Sequence, residues 1–521
     1  MSKFEGSIFG KDIFTYSSRG GRQYSPDEIG RYLGKFKLCN ALALIGKLSH
    51  HMLVSHKNLY FIEGYDIPIA NGTLAYLSMR LIEKSNDYRS KDMTIDDLLV
   101  AVDMFFGLPD LFQECSDNPQ SCLMRFGASQ FDYDRENRNL LARTLIIYRD
   151  LWNTVSDASQ VNIDTAIQSF SGLTLHEILV LGLFFSGRAK DGRFGLEEMG
   201  EYPATIKDCL TLDKQQTFVN WISCKYEEFR SRSVTDLPIR IEYEKFRFNP
   251  LCVKPIIIPD RNLSPGFSQV YLTPIPTLIY GRVTRGIFFS LADHFRESGD
   301  SNPFRSAFGV VFQEYVGLIL KKALGEDNVQ REWRYGLKGY SKDTPDWFVI
   351  KDGVAVLIEV KQAGLSLIAK QWGDTEDIKK ALKRSIGAGV KQMWEFERAI
   401  ETGLCTCPDW FNGVKISDRL VVTYDRPYFL NSTLRDEIRQ MYTLPGTYHW
   451  HTISVEELEY FLGATGTNFT KALSEKRLAV EEDEMDFRDY CSRNFSKDKC
   501  TNSYLDSVDD NFCNELGLFS K

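Results

Sequence analysis

The dipeptide Asp352-Gly353 constrains this chain more than any other pair of residues. Apolar runs flank it, Trp347-Phe348-Val349-Ile350 before and Val354-Ala355-Val356-Leu357-Ile358 after. Asp-Gly between such runs is the residue pair of a two-residue type I′ hairpin turn. The second run stays apolar on both faces until Glu359, the pattern of a strand buried inside a sheet. Register then follows by arithmetic. Lys351 pairs Val354, Ile350 pairs Ala355, Phe348 pairs Leu357 and, by continuation, Asp346 pairs Glu359. Directly opposed residues hold their Cβ atoms roughly 4.5–5.5 Å apart. Strand side chains alternate, so Lys361 shares a face with Glu359. The hairpin gathers Asp346, Glu359 and Lys361 around one point.

Two carboxylates at that spacing repel each other unless a cation lies between them. Mg²⁺, or Mn²⁺ in its place, suits such a pair, because it takes oxygen ligands and binds the oxygens of water and phosphate as well. A lysine beside them can orient a water or offset charge developing on a phosphate. Pro345-Asp346 followed by Glu359-Val360-Lys361 resembles, residue by residue, the motif of the PD-(D/E)XK nuclease superfamily. The resemblance implies a restriction-endonuclease-like α/β core, a mixed sheet flanked by helices, and Mg²⁺-dependent hydrolysis of phosphodiester bonds. It implies Asp346 and Glu359 as metal ligands, joined by the Val360 carbonyl, and Lys361 as the catalytic lysine. Asp377-Ile378-Lys379 is another acid-x-Lys triplet, in helical surroundings, and Pro408-Asp409 is another Pro-Asp. Neither combines the proline, the acid, the turn and the buried strand.

The surrounding sequence extends this site. Asn302-Pro303 starts a helix whose apolar stripe runs through Phe304, Phe308, Val311, Phe312, Tyr315, Leu318 and Ile319. Glu314 lies at the edge of that stripe. In the superfamily a glutamate on the helix before the core sheet reaches the metal, and Glu314 is placed to be that ligand; the alternative is a half-exposed surface glutamate. After the hairpin, a helix from about Thr375 carries Lys379, Lys380, Lys383, Arg384 and Lys391 on its exposed side. Such a run is either a solvated face or a surface for nucleic-acid phosphates. Gln392 to Phe396 resembles the Gln-x-x-x-Tyr motif of the RecB-like branch, with Phe396 in place of the tyrosine. Gln392 is therefore a further candidate at the active site. Cys405-Thr406-Cys407 and His449-Trp450-His451 are metal-compatible pairs without the spacing of a zinc site.

Upstream, Ser25-Pro26-Asp27-Glu28 and Thr174-Leu175-His176-Glu177 read as capping boxes, as does Ser454-Val455-Glu456-Glu457 downstream. The first predicts a long helix to about Leu53. Thr94 starts a further helix, and Asp213 is expected to cap another. No Walker A, GxGxxG, HExxH or GxSxG pattern occurs in this half. The reading is a mainly helical sensor or regulatory domain over 1–235, a connecting segment over 236–299, a nuclease domain over 300–465, and a polar acidic tail or cap over 466–521.

Composition bounds the setting. The 521 residues carry a net charge of −8, so any contact with nucleic acid must be local. Eleven cysteines without a C-x-x-C pair fit reduced thiols in cytoplasm. No apolar run approaches the ~18 residues of a membrane span, and no membrane partner is expected. A nuclease without a motor or methyltransferase motif resembles stand-alone anti-phage defence effectors. In that setting a phage protein is the expected trigger and DNA the favoured substrate, with RNA as the other candidate. The alternatives are a DNA repair or restriction enzyme, or a module on the same scaffold that binds nucleic acid or protein without cutting.

Overall fold

Capping boxes set several of the helix starts. In the computed structural model of the chain, Ser25 caps α1 (Pro26–Leu33), and its hydroxyl and the Glu28 carboxylate exchange bonds with each other's N–H. The helix does not run on to Leu53. Gly34 packs against the carbonyl of Lys84, where a Cβ would lie 2.9 Å from that oxygen. The chain turns there, the Lys37 N–H donates to the Lys91 carbonyl at 2.7 Å, and α2 (Leu38–Val54) begins. Then come α3 (Asn71–Lys84) and α4 (Ile95–Phe106), the latter boxed by Thr94. Helix α5 (Leu140–Leu145) continues into a π-helical turn over Ile146–Leu151. Thr174 boxes α6 (Leu175–Arg188). Thr211, two residues before the expected Asp213, caps α7 (Leu212–Ile222), because its hydroxyl can accept from the Lys214 N–H. The structure describes residues 3–8, 11–16, 18, 21–55, 59–61, 67–109, 139–155, 158, 160–189, 191–198, 202–233, 244–245, 247–267, 269–296, 302–336, 341–362, 384–425, 431, 435–496 and 500–517.

The second half is a mixed sheet flanked by helices. Asn302 caps α8 (Pro303–Leu324) with proline in the first turn. The sheet comprises β1 (Val329–Arg331), β2 (Trp347–Lys351), β3 (Val354–Lys361), β4 (Lys415–Thr423) and β5 (His451–Ser454). Their order is β5-β4-β3-β2-β1. The β1–β2 and β2–β3 pairs are antiparallel, and the β3–β4 and β4–β5 pairs are parallel. Helix α9 (Ile386–Glu401) covers one face, packing Ile386, Val390, Met393 and Phe396 on Phe348, Leu357 and Val421. On the other face lie α8 and α10 (Val455–Thr465), over Val349, Val356, Ile358, Leu420 and Val422. Arg334–Tyr335 leaves this sheet to pair with Lys342–Asp343.

The packing crosses the boundaries expected at 235, 300 and 465. One apolar cluster joins Trp152, Phe185 and Phe218 to Phe304, Phe308 and Phe312, to Ile358 and Leu420, and to Phe487 and Phe512. The stripe of α8 is wide enough to serve two neighbours, the sheet on one side and the upstream helices on the other. A buried ion pair crosses the same seam. Arg143 on α5 donates to both Glu459 oxygens on α10, at 2.6 and 2.7 Å, and the Tyr315 hydroxyl adds a third bond at 2.6 Å. The described residues of 466–517 form a packed helical cap, since Phe469, Leu473, Phe487, Leu505 and Phe512 are all buried in this core. No single helix among the described residues is long and apolar enough to cross a membrane.

Candidate metal centre

The hairpin forms in the register that Asp352-Gly353 dictates. Both turn residues have positive φ, 52° at Asp352 and 75° at Gly353, as a type I′ turn requires. Lys351 opposes Val354, Phe348 opposes Leu357 and Trp347 opposes Ile358. Asp346 follows immediately before the strand and stays tied to it, accepting from the Val360 N–H through Oδ2 at 2.6 Å. On β3, the Lys361 ammonium donates to Glu359 Oε1 at 2.5 Å. Asp346, Glu359 and Lys361 are thus brought together. Val360 contributes its amide proton to the arrangement.

Glu359 is fully buried, and its second oxygen, Oε2, has no hydrogen-bond partner among the described residues. Burial pushes the Glu359 carboxyl up, and the neighbouring Asp346 pushes it further. Burial likewise raises Asp346, against the pull of Lys361. For Lys361 burial opposes the charge, but Glu359 and Asp346 outweigh it and hold the pKa above its ordinary value. An orphaned carboxylate oxygen beside a second carboxylate is costly when dry. It is also the donor set that a hard divalent cation takes. The residues fit Mg²⁺ on that ground.

Two residues that sequence reasoning missed complete the site. Glu332 lies opposite Asp346 on the other side, one step past the Trp347–Arg331 pair, and its N–H donates to the Asp346 carbonyl at 3.0 Å. Its charge bears on both Asp346 and Lys361. Gln313 on α8 holds the Glu332 carboxylate at 2.9 Å. Three acids, Glu332, Asp346 and Glu359, therefore form a row across adjacent strands. Gly389 is the second. A Cβ there would lie 2.9 Å from Glu359 Cγ and 3.3 Å from Lys361 Cε, so α9 lies directly over the pair. The signal for Glu332 was its place directly after the strand that precedes the hairpin; for Gly389 it was a glycine inside an amphipathic helix.

The remaining candidates are distributed as follows. Gln392, one helical turn after Gly389, donates to the Thr344 carbonyl at 3.0 Å. Thr344 is also bound twice by the Trp333 backbone, at 3.0 Å each. Gln392 therefore anchors the approach to Pro345-Asp346 without touching the acids. Glu314 is not brought to the site. It pairs with Arg331, which opposes Trp347 and stacks over its ring on the α8 side of the sheet. Glu359 and Lys361 lie on the α9 side. Arg384 is exposed just before α9, and Lys391 is half exposed 3.5 Å from Glu395. Lys379, Lys380 and Lys383 lie outside the described residues, as does the expected helix start near Thr375.

His449 and His451 meet Asp483 of the C-terminal cap. Both Nε2 atoms approach Asp483 Oδ1, at 2.8 and 2.9 Å, and the three ligand atoms lie within 4.8 Å of one another. Arg435 holds the other oxygen at 2.5 Å, and the Lys476 ammonium caps the Glu482 and Asp483 carbonyls. A cation added there would meet two already present, so the cluster acts as a clasp between cap and sheet. No family model, curated protein or solved structure matches this chain.

Proposed function

We propose that this chain is a metal-dependent nuclease of the PD-(D/E)XK type, built on a restriction-endonuclease-like core. One observation carries the reading. Asp346, Glu359 and Lys361 converge, and the buried Glu359 Oε2 lacks a partner among the described residues. The mixed sheet, antiparallel through the hairpin and parallel beyond β3, supports the same core. Asp346 and Glu359 would hold Mg²⁺ or Mn²⁺, with Glu332 completing the acidic row. The ion would supply Lewis acidity and neutralise charge on the scissile phosphate. Lys361, held by Glu359, presents its ammonium where charge develops on a phosphate oxygen. Gly389 keeps α9 close over these side chains, which limits water around them.

DNA is the favoured substrate, and regulated anti-phage defence is the favoured setting, with the upstream helices coupled to the nuclease through the shared core. Plasmid, single-stranded DNA, tRNA and total RNA, each incubated with the full chain in Mg²⁺ and then in EDTA, test the activity and identify the nucleic acid. Cleavage of none of them in Mg²⁺ would favour a binding module on the same scaffold.

A further inference from the structure

The upstream helices carry a feature that the acidic row does not use. The C-terminal ends of α1 and α3 meet at a hollow of about 550 Å³. Arg31, Lys35, Lys84 and Arg89 line it, together with the acid Asp27. All four cations are exposed, and none of them pairs with a carboxylate among the described residues. Neighbouring basic residues do: Arg80 binds Glu83, Arg247 binds Glu83, and Lys91 binds Asp97 at 2.9 Å. Four cations with no carboxylate partner among the described residues therefore converge in a chain whose net charge is −8.

The convergence is built by the backbone. A Cβ on Gly30 would lie 3.0 Å from Lys84 Cγ, and one on Gly34 would lie 2.9 Å from the Lys84 carbonyl oxygen. Gly34 in particular lets α1 come this close to the end of α3, because a Cβ there would meet backbone rather than a side chain that can yield. Arg31 and Lys84 occupy last helical turns, where carbonyl ends offset part of their charge. Lys35 and Arg89 lie beyond the helix ends. Lys35 is stationed by the Tyr32 ring, with its ammonium 5.3 Å from the centroid. Tyr88, next to Arg89, is 77 % exposed and offers an aromatic face.

We infer that this hollow binds a small phosphorylated ligand of the nucleotide class. Guanidinium and ammonium groups together suit phosphate oxygens. The hollow is open to solvent, and its volume of about 550 Å³ leaves room for a nucleotide-sized ligand held mainly by its charges. Asp27 in the wall disfavours a continuous phosphate backbone, and it can accept from a sugar hydroxyl or a base amino group. The site is independent of the nuclease reading.

Calorimetric titration of the full chain with ATP, GTP and inorganic pyrophosphate tests it. EDTA keeps the acidic row from drawing nucleotide through a metal, and about 0.15 M salt screens exposed charges beyond roughly 8 Å. Saturable binding of a nucleotide or of pyrophosphate is expected, weakened at least about tenfold, or about 1.4 kcal/mol, by Lys35→Glu with Arg89→Glu. The milder Lys35→Gln with Arg89→Gln should weaken it less, and Lys342→Glu, an exposed control elsewhere, should leave it unchanged. Absence of binding, equal binding by the double variants, or binding of a single-stranded oligonucleotide alone would overturn the inference.

Discussion

Gly389 faces Glu359 so closely that a methyl group on Gly389 would lie 2.9 Å from Glu359 Cγ. Alanine in a helix interior gains up to about 1 kcal/mol over glycine, whereas overpacking costs about 1–3 kcal/mol. Gly389→Ala should therefore destabilise the fold slightly and displace Glu359 from Asp346. A loss of cleavage far exceeding the loss of stability is the expected outcome, read from rate assays beside urea denaturation. Unchanged cleavage would mean that α9 does not hold the acids in place.

The raised carboxyls make metal binding compete with protons. The folded chain holds protons at Asp346 and Glu359 that the unfolded chain releases. The stability this supplies is complete below the ordinary carboxylate pKa of about 4 and is lost as pH rises above it toward the raised values. Mg²⁺ should therefore stabilise the protein little at about pH 5 and strongly at about pH 8, because its ligands must be deprotonated. Thermal unfolding with and without Mg²⁺ across that range checks it. The Mg²⁺ effect should vanish in Asp346→Asn with Glu359→Gln, and a pH-independent effect would argue against these ligands.

Glu332→Gln removes one charge from the acidic row but keeps the Gln313 contact within reach. It should raise the Mg²⁺ concentration needed for half-maximal cleavage by about tenfold, since outer partners of a metal site commonly contribute about 10–100-fold in affinity. Maximal cleavage at saturating Mg²⁺ should fall much less. An unchanged Mg²⁺ requirement would place Glu332 outside the metal's reach.

Arg143→Ala removes both guanidinium bonds from the fully buried Glu459 side chain and leaves it, among the described residues, the Tyr315 hydroxyl. Truncating one partner of a buried pair costs about 3–5 kcal/mol. Because the pair spans α5 and α10 within one core, the loss should appear as a single cooperative transition shifted as a whole. Two separated transitions, with the downstream one unmoved, would show that the upstream helices fold apart from the sheet.

The hairpin was readable because Asp352-Gly353 sets both turn and register, so Asp346, Glu359 and Lys361 followed from arithmetic along one strand pair. Capping boxes at Ser25, Thr174 and Ser454 were readable for a similar reason, since each is closed by residues three positions apart, whereas Thr94 was read only as a helix start and proves to be boxed as well. Glu332, Gly389 and the true partner of Glu314 depend on pairings between elements distant in sequence. No local pattern encodes which strand lies beside β2 or how close α9 comes to β3. The break after α1 and the shared core arose the same way, from contacts of Gly34 with Lys84 and of α8 with helices more than a hundred residues upstream.

The most direct measurement is cleavage of nucleic acid by the full chain and by Glu359→Gln and Lys361→Ala, each shown to be folded, in Mg²⁺ and in EDTA. The expected result is cleavage by the unaltered chain in Mg²⁺, none in EDTA, and a loss of at least about a hundredfold in both variants, the scale of removing one group that stabilises transition-state charge. Cleavage that persists in EDTA, or variants that cut as fast as the unaltered chain, would contradict a metal-dependent site at Asp346, Glu359 and Lys361.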